Sequence, residues 1–137
     1  MHWINSYMTC PYVDGGRDLN GLDCWGLVRD VLHKQFAVPP IASFGTVSPD
    51  DKTAMTQGFA HVVKTFNPSP PLAGCVAAGF FGGNLIHVGI CVDCSGFKVL
   101  HTSRKHGPSL DTLAYFQRLF PKVIYYRYDS KSINISQ

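Results

Sequence analysis

Residues 12–27, YVDGGRDLNGLDCWGL, put an Asp-Cys pair at the mouth of an amphipathic helix. No other feature constrains the chain as strongly. Asp23 is a residue type that caps helices, and Cys24 then falls in the first turn, beside backbone N–H groups that have no intrahelical acceptor. Cys24, Leu27, Val28, Val31, Leu32 and Phe36 fall on one stripe, with Arg29, Asp30 and Lys34 opposite. The cysteine therefore opens the buried face and points toward whatever the helix packs on. The positive end of the helix dipole favours a thiolate there, so a lowered Cys24 pKa is expected. A buried inert cysteine would fit the same position, and the histidines downstream decide between the two.

Residues 85–93, LIHVGICVD, are rich in β-branched side chains and read as a strand, as do residues 97–103, FKVLHTS. Alternation places Leu85, His87, Gly89 and Cys91 on one face of the first strand, and Phe97, Val99 and His101 on one face of the second. In an antiparallel hairpin an odd loop brings His87 directly opposite His101, whereas an even loop sends them to opposite faces. The odd register is the expectation. His101 would then fix the tautomer and orientation of His87.

The order Cys, His, His, with Tyr-x-x-Gly-Gly before Asp-Cys-x-Gly-Leu-Val and then His-Val-Gly-Ile, resembles the NlpC family of cell-wall cysteine peptidases. The resemblance runs from about Trp3 to Tyr128. It implies an α+β, reduced papain-like fold in which a helix carrying the cysteine packs on a central antiparallel sheet. By the same resemblance Cys24 is the nucleophile, His87 the general base and His101 the group that orients it. Tyr12 matches a tyrosine near the oxyanion site, and Asp23 and Trp25 flank the nucleophile on the substrate side. The implied reaction is hydrolysis of an amide bond in peptidoglycan stem peptides, between γ-D-glutamate and a diamino acid, without a cofactor or metal. The GGRD and DCWGLVR wording, with Tyr125-Tyr126-Arg127, is most similar to the branch found in tail-tip proteins of phages and prophages. Other tail proteins are the partners that this implies. Trp25 stands where serine is common, Ala73-Gly74-Cys75-Val76 where Gly-Asp is usual, and Thr102 where alanine is usual. A thiol acyltransferase and a catalytically silent tail component are the alternative readings.

At 137 residues the chain fits one domain, and 45% hydrophobic against 15% charged residues excludes general disorder. A net charge of +3 with scattered basic residues and no recognised motif speaks against nucleic-acid binding. No run reaches the ~18 apolar residues of a membrane span. The N-terminal residues lack a basic segment followed by an apolar run, so the expected route to the wall is synthesis in the cytoplasm and delivery on a virion tail. Five cysteines form no disulfide framework, and the lone Cys91-x-x-Cys94 pair near His101 and His106 carries little weight as a zinc site.

The remaining expectations are coarser. Helices are expected at 3–8, 50–66 and 110–120, the last capped at Ser109 or Asp111. Residues 67–71 should be a rigid connector, 76–81 the first sheet strand and 123–128 the closing strand. Gly15-Gly16 should make a turn beside the nucleophile, and the polar residues 130–137 should fray. His2, His33, His61 and His106 read as surface or terminal residues.

Overall fold

The helix expected after Asp23 is present as Cys24–Phe36 in the computed structural model, which describes residues 2–129. Before it come α1 (His2–Met8) and a small hairpin of β1 (Arg17–Asp18) and β2 (Gly21–Leu22), so the cysteine-bearing helix is α2. Asp23 is extended at φ −89° and its carboxylate accepts the Gly26 N–H at 2.8 Å, the local bond that starts the helix here. Left-handed Ala37, at φ 57°, ends it, with a backbone N–H returned to the Leu32 carbonyl.

Helix α3 (Lys52–Val62) follows. Then come β3 (Phe66–Pro68), β4 (Val76–Phe81), β5 (Asn84–Asp93), β6 (Phe97–Ser103), β7 (Gly107–Thr112), α4 (Leu113–Arg118) and β8 (Lys122–Tyr128). The six-stranded sheet has the order β3-β8-β4-β5-β6-β7, every pair antiparallel. The α+β architecture, with the cysteine helix packed on an antiparallel sheet, is the expected one. Among the described residues no helix is long and apolar enough to cross a membrane.

Alternation along the strands gives the sheet two different faces. Val76, Ala78, Val88, Ile90, Val92 and Leu100 face α2 and α3 and join Leu27, Val28, Val31, Leu32 and Phe59 in the larger core. Cys75, Ala77, Cys91 and Val99 point the other way and pack with Phe116 of α4 and Tyr125 in a smaller one. His87 and His101 belong to this second side, where their rings meet Phe116 at 6.1 and 5.1 Å. Cys91 is fully buried inside the sheet, so the Cys91-x-x-Cys94 pair is split between core and turn.

Three expected elements differ, each for a local reason. The second helix is shorter than 50–66. Asp51, not Asp50, caps it by accepting the Ala54 N–H, and a 3-10 turn at Val63–Thr65 ends it. Phe66 keeps its place in the apolar pattern but is buried as the first residue of β3. Part of the expected connector is therefore strand. Pro68 is tolerated because β3 is an edge, paired only with β8. The third helix begins at Leu113 rather than Leu110, because the Thr112 hydroxyl accepts the Tyr115 N–H at 3.2 Å and sets the cap there. Residues 107–112 form β7 instead, which moves Asp111 from a helix start onto the sheet beside His101. The expectation for residues 130–137 lies outside the described residues.

Gly79 holds the second face together. A Cβ built on it would come within 2.6 Å of the Phe120 ring, which stacks on His87 at 5.7 Å and 25°. Gly79→Ala should therefore destabilise the protein by about 1–3 kcal/mol through overpacking. Denaturant unfolding of the two forms checks it. An unchanged midpoint would mean that Phe120 moves aside freely.

Candidate active site

A cavity of about 170 Å³ opens where the start of α2 meets β5 and β6. Cys24, His87, Tyr12, Lys52, Thr102 and Arg104 are among the residues that line it. α2 brings the cysteine because its cap fixes the first turn, and the hairpin β5–β6 brings the histidine. A bulge in β5 shapes this wall. Gly79 pairs with His87 but Phe80 pairs with Leu85, so Ile86 is the extra residue.

The loop Cys94-Ser95-Gly96 between β5 and β6 has an odd length, and the two histidines share a face as expected. They are not directly opposite, however. The pairs Cys91↔Val99 and Ile90↔Leu100 continue to set Gly89 against His101. A Cβ on Gly89 would lie 3.0 Å from the His101 Cβ, so the missing side chain gives the His101 ring room to lean along the sheet. The contact is diagonal: His87 Nε2 lies 2.9 Å from His101 Nδ1. A second diagonal step follows. His101 pairs with Ser109 and Val99 with Asp111, and His101 Nε2 lies 2.7 Å from Asp111 Oδ2.

This chain of three residues fixes the tautomers. The Asp111 carboxylate only accepts, so His101 Nε2 carries the hydrogen and donates it. In neutral His101, Nδ1 is then an acceptor, and His87 Nε2–H donates to it. His87 Nδ1 is left without a hydrogen, which is the state a general base requires. Asp111 is the candidate site residue that sequence reading missed. The signal was its spacing from His101 in a strand pairing, and it was hidden by the helix assigned to that segment.

The electrostatics correct one expectation. Burial pushes the Cys24 thiol up to about 11 and the neighbouring Asp23 charge adds to this, while a backbone hydrogen bond to Val88, the Lys52 charge and a backbone hydrogen bond to Trp25 oppose it. Cys24 is thus a neutral thiol at rest rather than the thiolate that a helix terminus alone would favour. Desolvation outweighs the dipole here. Burial also pushes His87 down to about 3, with smaller contributions from His101 and Lys52. For His101 burial is again the larger effect and lowers its pKa, against the raising influence of Asp111. The resting pair is therefore thiol and neutral imidazole. Among the described residues, the ring contacts of His87 run to His101, Phe116 and Phe120.

The other expected site residues have mixed placements. Tyr12 lines the cavity, but its hydroxyl hydrogen-bonds Asp14, and burial is the main cause of its raised pKa. Asp14 in turn holds Arg104 at 3.0 Å, and Arg104 reaches Asp50 at 3.3 Å across the rim. Asp23 is 3% exposed, and its carboxylate is taken up by Gly26 N–H, Gly15 N–H at 2.9 Å and Arg17 at 2.6 Å. Its work in this form is structural: it ties the Gly15-Gly16 turn to the helix start. Trp25 is 1% exposed and gives its indole N–H to the Ala42 carbonyl at 2.7 Å, with Phe44 and Phe59 against its ring. It forms the cavity's inner wall as a packing residue.

No family model matches the chain, and no curated protein does either. Among solved structures the chain is similar to the NlpC/p60 domain of the peptidoglycan hydrolase SagA. The TM-score is 0.56 at 19% identity, over 88% of this chain and 90% of that one. The two share a fold.

The depressed His87 makes stability depend on pH. Its folded value near 3 lies below the ~6.5 of an unfolded histidine, so between them the unfolded chain binds more protons. Stability should fall as pH drops from about 6.5 toward 3, and His87→Gln should flatten that slope. Thermal melting of both forms across this window checks it, and parallel slopes would contradict the burial of His87.

Proposed function

We propose that the chain is a cysteine peptidase of the NlpC type that hydrolyses an amide bond in peptidoglycan stem peptides. The observation that carries this reading is the cavity shared by Cys24 and His87, with His87 oriented through His101 to Asp111. The fold shared with a domain of a peptidoglycan hydrolase supports the same substrate class.

Cys24 Sγ attacks the amide carbonyl as its proton passes to His87 Nδ1, which the hydrogen-bond chain leaves open. The imidazolium formed on His87 is stabilised through His101 by the Asp111 carboxylate, and it returns the proton to the leaving amine. Water then hydrolyses the thioester, with His87 again the base. The backbone N–H of Cys24, in the first turn of α2, stabilises the oxyanion. The Tyr12 hydroxyl joins it once it is freed from Asp14. Because thiol and imidazole are both neutral at rest, proton transfer accompanies attack rather than preceding it.

The γ-D-glutamyl bond to a diamino acid is the preferred scissile bond in this reading. A phage tail is the preferred setting, resting on the DCWGLVR wording and on Tyr125-Tyr126-Arg127. The half-buried, neutral dyad favours one further reading, a silent tail component, and the same experiment separates the two.

Mass spectrometry of peptidoglycan fragments should show new stem-peptide ends with the wild type and none with Cys24→Ala. Ends that persist in the variant would refute the assignment of Cys24. Asp111→Asn should lower kcat by about 100-fold or more. Its amide N–H can donate to His101 Nε2 and reverse the hydrogen-bond chain, which leaves His87 Nδ1 protonated. An Asp111→Asn variant with wild-type kcat would remove Asp111 from the mechanism.

A further inference from the structure

The charges around the cavity do not cancel evenly. The Asp23 carboxylate is matched by Arg17 at 2.6 Å, and Arg104 is matched by both Asp14 and Asp50. Asp51 is occupied by its cap on the Ala54 N–H. Lys52 is different: its ammonium meets two backbone carbonyls, Pro49 at 2.8 Å and Ile86 at 3.4 Å. Among the described residues it is the cavity-lining cation with no carboxylate partner. An ammonium has three donors, and two carbonyls leave one free.

The position of Lys52 is built by the fold. The Thr56 hydroxyl donates to the Lys52 carbonyl at 2.6 Å and accepts the Leu85 N–H at 2.9 Å, which pins the first turn of α3 to the β5 bulge. Ile86, whose carbonyl Lys52 reaches, is the extra residue of that bulge and the neighbour of His87. The ammonium is close enough to act on both reacting groups, favouring the Cys24 thiolate and opposing protonation of His87. Thr102 also lines the cavity; it is 2% exposed and its hydroxyl has no hydrogen-bond partner among the described residues. A free ammonium donor and an orphaned hydroxyl in the lining of one cavity are complementary to an anion.

We propose that Lys52, assisted by Thr102, binds a carboxylate on the substrate residue next to the scissile bond, so that the site selects acidic peptides over their amides. This rests on the peptidase reading above and names its substrate class. A cavity of about 170 Å³ admits one such residue, with the rest of the peptide lying across the rim.

The test begins with a probe that needs no peptide. Alkylation of Cys24 by iodoacetate or iodoacetamide forms the same S–C bond and releases iodide, and His87 takes up the thiol proton. The two reagents differ in the carboxylate. Rates at Cys24, followed by peptide mass spectrometry, should give an iodoacetate-to-iodoacetamide ratio that falls about fivefold in Lys52→Met. It should fall similarly in Lys52→Gln and largely recover in Lys52→Arg. The ratio cancels any change in the thiol's own ionisation. Either neutral variant, if folded, suffices, and an unchanged ratio overturns the proposal.

The second arm compares γ-glutamyl peptides carrying a free α-carboxylate with their α-amides. The wild type should have the higher kcat/KM for the acid, and Lys52→Met should lose that preference. Equal cleavage of both by the wild type overturns the proposal and leaves the peptidase reading intact. If neither peptide is cleaved but the alkylation ratio drops in the variants, the anion site stands and the peptidase reading fails.

Discussion

The hydrogen bond from His101 Nε2 to Asp111 sets the chemistry of the whole site. A carboxylate can only accept, so one hydrogen is fixed on His101 and the next on His87, and the free nitrogen of His87 is left on Nδ1. No flexible loop makes these contacts. They run diagonally across three neighbouring strands, each residue two positions out of direct register with the last. Gly89 makes the first diagonal possible because it has no side chain opposite His101. Sheet register is a firm constraint, since a one-residue slip would send all three side chains to the other face.

Burial acts against the same site. A cysteine at a helix start usually gains thiolate character, yet Cys24 and His87 are both held neutral because burial penalises the charged form of each. The aromatic side of the sheet contributes, with Phe120 stacked on His87 and Phe116 edge-on to His101. A neutral pair is less reactive at rest. It also carries no buried charge that the fold would have to compensate. The rim residues Asp14, Arg104 and Asp50 hold the Tyr12 loop, the β6–β7 turn and the start of α3 in contact, and Asp14 shares its carboxylate between Arg104 and the Tyr12 hydroxyl.

What could be read from the sequence was the part governed by local pattern. The cap at Asp23, the stripe of α2 and the alternation around His87 and His101 each follow from residues close in the chain. The odd hairpin loop followed too, and only the direct opposition of the rings was wrong, because the register that starts at Asp93↔Phe97 sets His101 against Gly89 and leaves His87 on the diagonal. Asp111 was not legible. Asp and Ser before an apolar run mimic a helix start, and only pairing with β6 shows that residues 107–112 are a strand. Lys52 was not legible either, since its lack of a carboxylate partner shows only once Arg17 and Arg104 are seen to take the acids nearby. Asp23 and Trp25 were read toward the substrate, and both are consumed by cap, ion pair and packing in this form.

If His101 and Asp111 hold His87 in one tautomer, ¹⁵N NMR of the histidine rings at neutral pH will show a neutral His87 with hydrogen on Nε2 and a bare Nδ1, and a neutral His101 with hydrogen on Nε2. An imidazolium at His87, or hydrogen on its Nδ1, would contradict it.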